Sequence, residues 1–227
     1  MAAKQHGMPG EWAKVCGTVR SLWPLFLCFT ALGASLAALV LGRHAVLFAA
    51  AFVIVLVVTA VTWRRGLRRV ESFFKGARGE ERVARILADL SDGFHVFHDF
   101  AFEGLHVDHV VLGPTGVYSV ETKSWRGTVT TDAGEILVDG RLPDRAPLAQ
   151  ARREATAVKR ALKRAGWEGE VTPVVCFASD TFENGCRAVG PVMVLNAREI
   201  PRWFAEQSVV LGPDEIERLA ELIRMCA

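Results

Sequence analysis

Two long apolar stretches stand out in the first part of the chain. Residues 22–41 and residues 45–63 contain no charged side chain, and only residues 42–44 separate them. At 1.5 Å per residue, each stretch forms a helix of about 30 Å, which is the thickness of the hydrocarbon core of a bilayer. The pattern therefore predicts a transmembrane helical hairpin over residues 22–63, preceded by an N-terminal segment of residues 1–21.

Basic residues indicate how this hairpin is oriented. Four arginines directly follow the second stretch: Arg64, Arg65, Arg68 and Arg69. Lys14 and Arg20 precede the first stretch, whereas the turn contributes only Arg43. The positive-inside rule then places both termini of this two-span membrane protein in the cytoplasm, with residues 64–75 as a basic juxtamembrane linker at the anionic lipid surface. Two alternatives stay open, a cleaved signal peptide covering the first stretch only and a helical hairpin buried in protein.

After residue 75 the pattern becomes that of one soluble domain, residues 76–227. An apolar stripe at helical spacing around Val83 and Leu87 is followed by alternating runs rich in β-branched residues. Strands are predicted at residues 94–102, 105–112, 116–123, 171–178 and 191–196, with a polar hairpin around the turn Asp132-Ala133-Gly134. Helices are predicted at residues 148–165, 197–206 and 213–225. This order predicts an α/β fold with a mixed sheet.

The second and third predicted strands carry the candidate chemistry. They flank the turn Gly113-Pro-Thr-Gly116, and pairing of these two glycines places Asp108 directly opposite Glu121. Partners in such a pair have Cβ atoms about 5 Å apart, so the two carboxylates repel unless positive charge lies between them. Lys123 shares the face of Glu121 and supplies one positive group. A hard divalent cation such as Mg²⁺ or Mn²⁺ would supply another; the alternative is a surface cluster of charges, because E-x-K is a common sequence.

Two more side chains are candidates for the same site. Glu80 lies at the edge of the apolar stripe of the first helix of the domain, and Gln150 lies in the first turn of the predicted helix 148–165. The opposite face of that second helix is basic: Arg152, Arg153, Lys159, Arg160, Lys163 and Arg164. Such a face is usually just solvated, but beside a phosphodiester site it would attract a polyanion.

Cysteine spacing, histidine pairs and absent motifs restrict the classes of function that the sequence supports. The formal net charge of +2 says little about partners, because the basic residues are clustered locally, and five cysteines without C-x-x-C spacing indicate reduced thiols in a cytoplasmic domain. Two H-x-x-H pairs, His95 with His98 and His106 with His109, lie on predicted strands, where residues three apart point to opposite faces and cannot share a zinc ion. The chain contains no phosphate-binding loop, G-x-S-x-G or G-x-G-x-x-G motif.

The ordered motifs resemble those of the nuclease-related domain (NERD) family, which is similar to the PD-(D/E)xK, or restriction-endonuclease-like, nucleases. They are G-A-R-G-E at 76–80, V-D-H-V-V at 107–111, G-P-T-G-V-Y at 113–118, E-T-K at 121–123 and P-L-A-Q at 147–150. The resemblance implies an α-β-β-β-α-β core and a Mg²⁺-dependent site. It makes Glu80 the helix acid, Asp108 and Glu121 the metal ligands, Lys123 the catalytic lysine and Gln150 the glutamine of the following helix.

Two positions depart from the family pattern. His106 stands where the family commonly has glutamine, and Ser124 follows the lysine in place of the more usual asparagine. Neither departure removes a metal ligand or the lysine.

The sequence therefore predicts a membrane-anchored, metal-dependent nuclease acting on DNA or RNA at the cytoplasmic face. Two alternatives remain, an inactive nuclease-like module that binds nucleic acid or protein at the membrane, and a scaffold that binds lipid through residues 64–78.

Overall fold

The computed structural model describes residues 2–41 and 45–226, and the predicted turn with Arg43 lies outside these residues. The chain divides into two compact units. One comprises Trp12–Lys75, and the other joins Met1–Glu11 to Gly76–Ala227. The segment before the apolar stretches therefore belongs partly to the same unit as the predicted soluble domain.

Two long helices account for the apolar stretches. Helix α1 spans Glu11–Leu41 and helix α2 spans Ala45–Ala88, so the predicted linker 64–75 is helical and continuous with the second stretch. Both helices contain a segment long and apolar enough to cross a membrane. Within this unit the two helices approach closely at Gly17, where a Cβ atom would lie 2.3 Å from the ring of Phe73. Small residues allow such approaches between apolar helices.

The other unit is built on a seven-stranded sheet. The strands of the chain are β1 (Lys4–His6), β2 (His95–Phe102), β3 (Leu105–Gly113), β4 (Gly116–Lys123), β5 (Val129–Asp132), β6 (Glu135–Val138), β7 (Val171–Phe177), β8 (Cys186–Val189) and β9 (Val192–Asn196). Strands β5 and β6 form the predicted polar hairpin as a separate sheet, and the others follow the order β1-β2-β3-β4-β7-β9-β8. Strands β2, β3 and β4 are antiparallel neighbours, whereas β4, β7 and β9 run parallel, which confirms the mixed sheet.

Helices cover both faces of this sheet. Three helices follow β6: α3 (Pro147–Arg164), α4 (Ile200–Ala205, after a 3-10 turn at Ala197–Glu199) and α5 (Pro213–Cys226). Helices α3 and α5 pack on one face, as Val158 and Leu219 share a core with Val110 of β3. The last turns of α2 pack with α4 on the other face, as Leu87 and Trp203 share a second core. The α-β-β-β-α-β order predicted from the sequence is confirmed, and apolar burial on both faces explains the β-branched strands.

The β3–β4 hairpin has the predicted register. Gly113 pairs with Gly116, and the ladder continues to His109 opposite Val120. Gly116 has a φ of +127°, which a residue with a side chain rarely adopts. At Gly113 a Cβ atom would lie 2.2 Å from the ring of Phe94. Both glycines are thus required at this turn, and the turn aligns the two strands.

Strands β1 and β8 were not predicted. Strand β1 pairs in parallel with β2, so Lys4 lies beside His95. The side chain of Gln5 extends this contact, because its Oε1 lies 2.5 Å from Nε2 of His98, whose Nδ1 lies 2.8 Å from Nδ1 of His109. An amide oxygen only accepts, so His98 donates through Nε2 and accepts from His109. This chain of hydrogen bonds connects the N-terminal strand to the buried interior of the sheet.

Substitution of Gln5 by leucine is expected to destabilise this unit. The buried Nε2–H of His98 would lose its acceptor, and an unpaired buried donor costs about 1–3 kcal/mol. Thermal unfolding of the full chain in detergent, followed by tryptophan fluorescence, measures the effect. The matched control is Gln5→Glu, which keeps an acceptor oxygen at this position and should preserve the unfolding midpoint; equal midpoints for both variants would contradict the assignment.

Candidate active site

Lys123 lies at the end of β4 with its ammonium group inside the protein. The residue is 9% exposed, and Glu121 is 4% exposed. Nζ of Lys123 forms an ion pair with the Glu121 carboxylate and donates to Oε1 of Gln150 over 3.0 Å. A buried ammonium requires such partners, because the cost of removing its charge from water is several kcal/mol. This burial does not fit the alternative of a solvated surface cluster.

Asp108 reaches the same end of the hairpin. The β3–β4 ladder ends at His109 and Val120, and the amide of Thr122, two residues further along β4, donates to Oδ2 of Asp108 over 2.7 Å. The carboxylate thus takes the place of a backbone carbonyl where the ladder stops. Burial raises the pKa of Asp108 well above its ordinary value, and the nearby charges of Glu121 and Glu80 raise it further, while the Thr122 amide opposes them.

Glu80 is brought toward these groups by the residue before it. A Cβ atom at Gly79 would lie 1.7 Å from Oγ of Ser124 and 3.3 Å from Cβ of Ala178. Only glycine allows α2 to approach the ends of β4 and β7 this closely. Burial, followed by the charges of Asp99 and Glu121, raises the pKa of Glu80 to about 7. The motif G-E therefore combines a close approach with an acidic side chain near Asp108 and Glu121.

Gln150 and Glu154 enter the site from the first turns of α3. Gln150 accepts from Lys123 through Oε1 and donates through Nε2 to Oε1 of Glu154 over 2.9 Å. Glu154 is buried, and burial followed by the charge of Glu121 raises its pKa to about 9. The nearby Glu121 carboxyl group therefore favours the protonated form of Glu154.

Glu154 was not predicted to be a site residue. A signal for it is present in the sequence, because Glu154 lies four residues after Gln150 and three after Ala151, on the apolar stripe of α3. An acidic residue on such a stripe is uncommon unless it has a partner. The structure thus adds a fourth carboxyl group to Glu80, Asp108 and Glu121.

The donor set suits a hard cation. Oε2 of Glu121 and Oε2 of Glu154 are buried without a hydrogen-bond donor. Carboxylate oxygens of this kind are the ligands that Mg²⁺ and Mn²⁺ prefer. Within the described residues, however, no three His, Cys, Asp or Glu side chains already form a metal-binding group, and Glu121 uses one oxygen for Lys123. The chemistry of the donors fits the expected cation, and their role as ligands stays a prediction.

The histidines contact one another across strands. His98 contacts His109 as described above, and Nδ1 of His95 lies 3.3 Å from Nε2 of His6. Nδ1 of His106 lies 3.4 Å from Oδ1 of Asp99. The members of each H-x-x-H pair therefore have different partners. Burial lowers the pKa of His98 to about 4, which favours the neutral ring in this chain of hydrogen bonds.

One comparison with known proteins gives a match. Residues 75–178 match the model of a family described as nuclease-related domain, NERD. The matched range contains all five predicted site residues and Glu154, and it ends just after β7. No curated protein and no solved structure matches the chain.

Substitution of Glu154 by glutamine is expected to change how stability depends on pH. The unfolded chain loses the Glu154 proton as pH rises through the ordinary value of 4.5, whereas the folded chain keeps it until about pH 9. Wild-type stability therefore falls over this window relative to Glu154→Gln, which cannot ionise. One unit of pKa shift corresponds to about 1.4 kcal/mol, so we expect a difference of at least that size by pH 7.

Urea unfolding of the full chain at pH 4.5, 7 and 9 with a chelator measures this difference. The control is Glu135→Gln, which removes an exposed carboxylate from β6. A stability difference between wild type and Glu154→Gln that stays constant from acid to alkaline pH would show that Glu154 ionises normally.

Proposed function

Because residues 75–178 match the nuclease-related domain, we propose that this chain is a membrane-anchored, metal-dependent nuclease hydrolysing phosphodiester bonds of DNA or RNA at the cytoplasmic face. The observation that supports this most directly is the buried ammonium of Lys123, held between Glu121 and Gln150 among three further carboxyl groups. Binding alone does not require such a cluster, because buried carboxyl groups that repel one another reduce stability. An arrangement that is unfavourable for folding favours a catalytic role.

In the proposed hydrolysis, the side chains of the site would have different roles. Glu80, Asp108 and Glu121 would hold Mg²⁺ or Mn²⁺, which when bound acts as a Lewis acid on the phosphoryl oxygens and lowers the pKa of water. An ammonium group has three N–H donors; within the described residues Lys123 directs two of them to Glu121 and Gln150, which leaves a third donor. That third donor would orient the attacking water or stabilise charge on the phosphoryl group. Gln150 and Glu154 keep the lysine in position.

The proposal of membrane anchoring is supported by exposed apolar side chains and by β1. Residues such as Phe26, Val53 and Ile54 on the two long helices are more than half exposed, and exposed apolar surface of this extent is rare in soluble proteins. Strand β1 precedes both helices and pairs with β2, which follows them. Two paired strands lie on the same side of a membrane, so the chain between them crosses it an even number of times. Cleavage after the first apolar stretch would separate β1 from its sheet.

Divalent-ion-dependent cleavage by the full chain tests the proposed activity. Wild type should cleave a nucleic acid with Mg²⁺ or Mn²⁺, and a chelator should abolish cleavage. Asp108→Asn keeps an acceptor for the Thr122 amide but loses the charge, and Lys123→Ala loses the ammonium; each should lower the rate by about 100-fold or more.

The control for this assay is Asp132→Ala, which removes an exposed carboxylate at the β5–β6 turn and should leave the rate unchanged. Asp108→Asn is the more decisive variant, because loss of Lys123 leaves a buried carboxylate unpaired and lowers stability. Binding of nucleic acid without cleavage by wild type would support the alternative of an inactive module. Equal cleavage by wild type and Asp108→Asn would exclude the proposed site.

Protease protection tests the proposed topology. Peptide tags at the N-terminus and the C-terminus should both be digested in inside-out vesicles and both be protected in intact cells. The physical reason is the pairing of β1 with β2 together with the positive-inside rule. Digestion of one tag without the other in either preparation would contradict an even number of crossings.

A further inference from the structure

The basic residues of α3 fall into two groups according to their partners. Those in the second half of the helix form ion pairs with carboxylates: Lys159 with Glu170, Arg160 and Arg164 with Glu103, and Lys163 with Glu168. Arg153, in the first half, is exposed and forms no ion pair with any residue that the structure describes. Arg145, which precedes the helix, is also exposed, and it forms no ion pair with a residue in the ranges 2–41 and 45–226. Positive charge that the protein does not neutralise is thus found at the end of α3 nearest the candidate active site.

A cavity of about 470 Å³ is lined by both of these arginines. Arg145 and Arg153 line it together with Gln150 and Glu154, and His106 and Leu105 form an aromatic and apolar wall. Gln150 also contacts the Lys123 ammonium, so the cavity directly adjoins the candidate active site. Its volume is in the range of pockets for small ligands and is too small for a duplex.

We propose that this cavity is a nucleotide subsite, in which Arg145 and Arg153 bind the backbone phosphate of the nucleotide next to the scissile bond. This inference rests on the proposed function for the identity of the ligand. A guanidinium group donates two parallel hydrogen bonds to phosphate, and bases stack on aromatic side chains such as His106. A single strand or an unpaired end fits the volume, so the subsite favours single-stranded over duplex substrate. A flat anionic membrane surface would not enter a concave site beside carboxyl groups.

The salt dependence of binding tests the subsite. The full chain carrying Asp108→Asn, in nonionic detergent with a chelator, is titrated onto a labelled single strand of about a dozen nucleotides between about 50 and 200 mM KCl. Each phosphate contact contributes about 0.7 to the slope of log K against log salt concentration for single strands. Arg145→Gln with Arg153→Gln should therefore reduce the slope by about 1.4 and weaken binding about tenfold or more.

The matched control is Arg160→Gln with Arg164→Gln, which removes two arginines of α3 that are paired with Glu103. A much smaller change in slope for this control supports the subsite. Equal changes for both double variants would overturn it, because only general charge attraction would then be at work. The subsite would also be overturned if the parent protein did not bind the strand. The same holds if Arg145→Gln with Arg153→Gln lost binding to phosphatidylserine vesicles but kept binding to the strand.

The subsite and the proposed function can fail separately. Cleavage by wild type with no selective effect of Arg145→Gln and Arg153→Gln on binding overturns the subsite and leaves the nuclease intact. Selective loss of binding in that double variant, without cleavage by wild type under any divalent ion, supports the subsite in a protein that binds strands without cutting them.

Discussion

The ion pair between Lys123 and Glu121 is the interaction on which the arrangement of the site depends. Both groups are buried at the end of β4, so each needs a partner inside the protein. Gln150 supplies the second acceptor for the ammonium, and Glu154 in turn holds Gln150. The first turns of α3 are thereby tied to the end of the central strand. The buried carboxyl groups around the ammonium repel one another, and the positive charge of Lys123 offsets part of that repulsion.

Two local features determine which side chains meet at the end of β4. The β3–β4 ladder ends where the Asp108 carboxylate accepts the Thr122 amide, so the two strands no longer share backbone hydrogen bonds beyond it. On the other side, Gly79 allows α2 to approach Ser124 and brings Glu80 near. The acidic groups therefore meet where backbone pairing between β3 and β4 stops.

Strand β1 precedes the apolar helices in the sequence but belongs to the unit that contains the seven-stranded sheet. In the sequence, the unit of apolar helices is inserted between β1 and the rest of the unit that contains the seven-stranded sheet. Gln5 and the histidines connect β1 to the sheet interior. A fragment beginning after the helices would lack this strand and leave the edge of β2 unpaired, and exposed edges favour aggregation. The full chain is therefore the appropriate form in which to measure activity and binding.

The sequence by itself determined the α/β domain, the two apolar helices and the register of the β3–β4 hairpin, because these depend on periodicity, on length and on two glycines at one turn. Asp108, Glu121 and Lys123 could be grouped as candidate site residues for the same reason. Only the tertiary structure decided that Lys123 is buried, that Glu154 joins the site, that β1 completes the sheet and that Arg145 and Arg153 lack the partners that Arg160 and Arg164 have within the described residues. Burial and pairing of these groups arise from contacts between segments far apart in the chain, which local patterns do not encode.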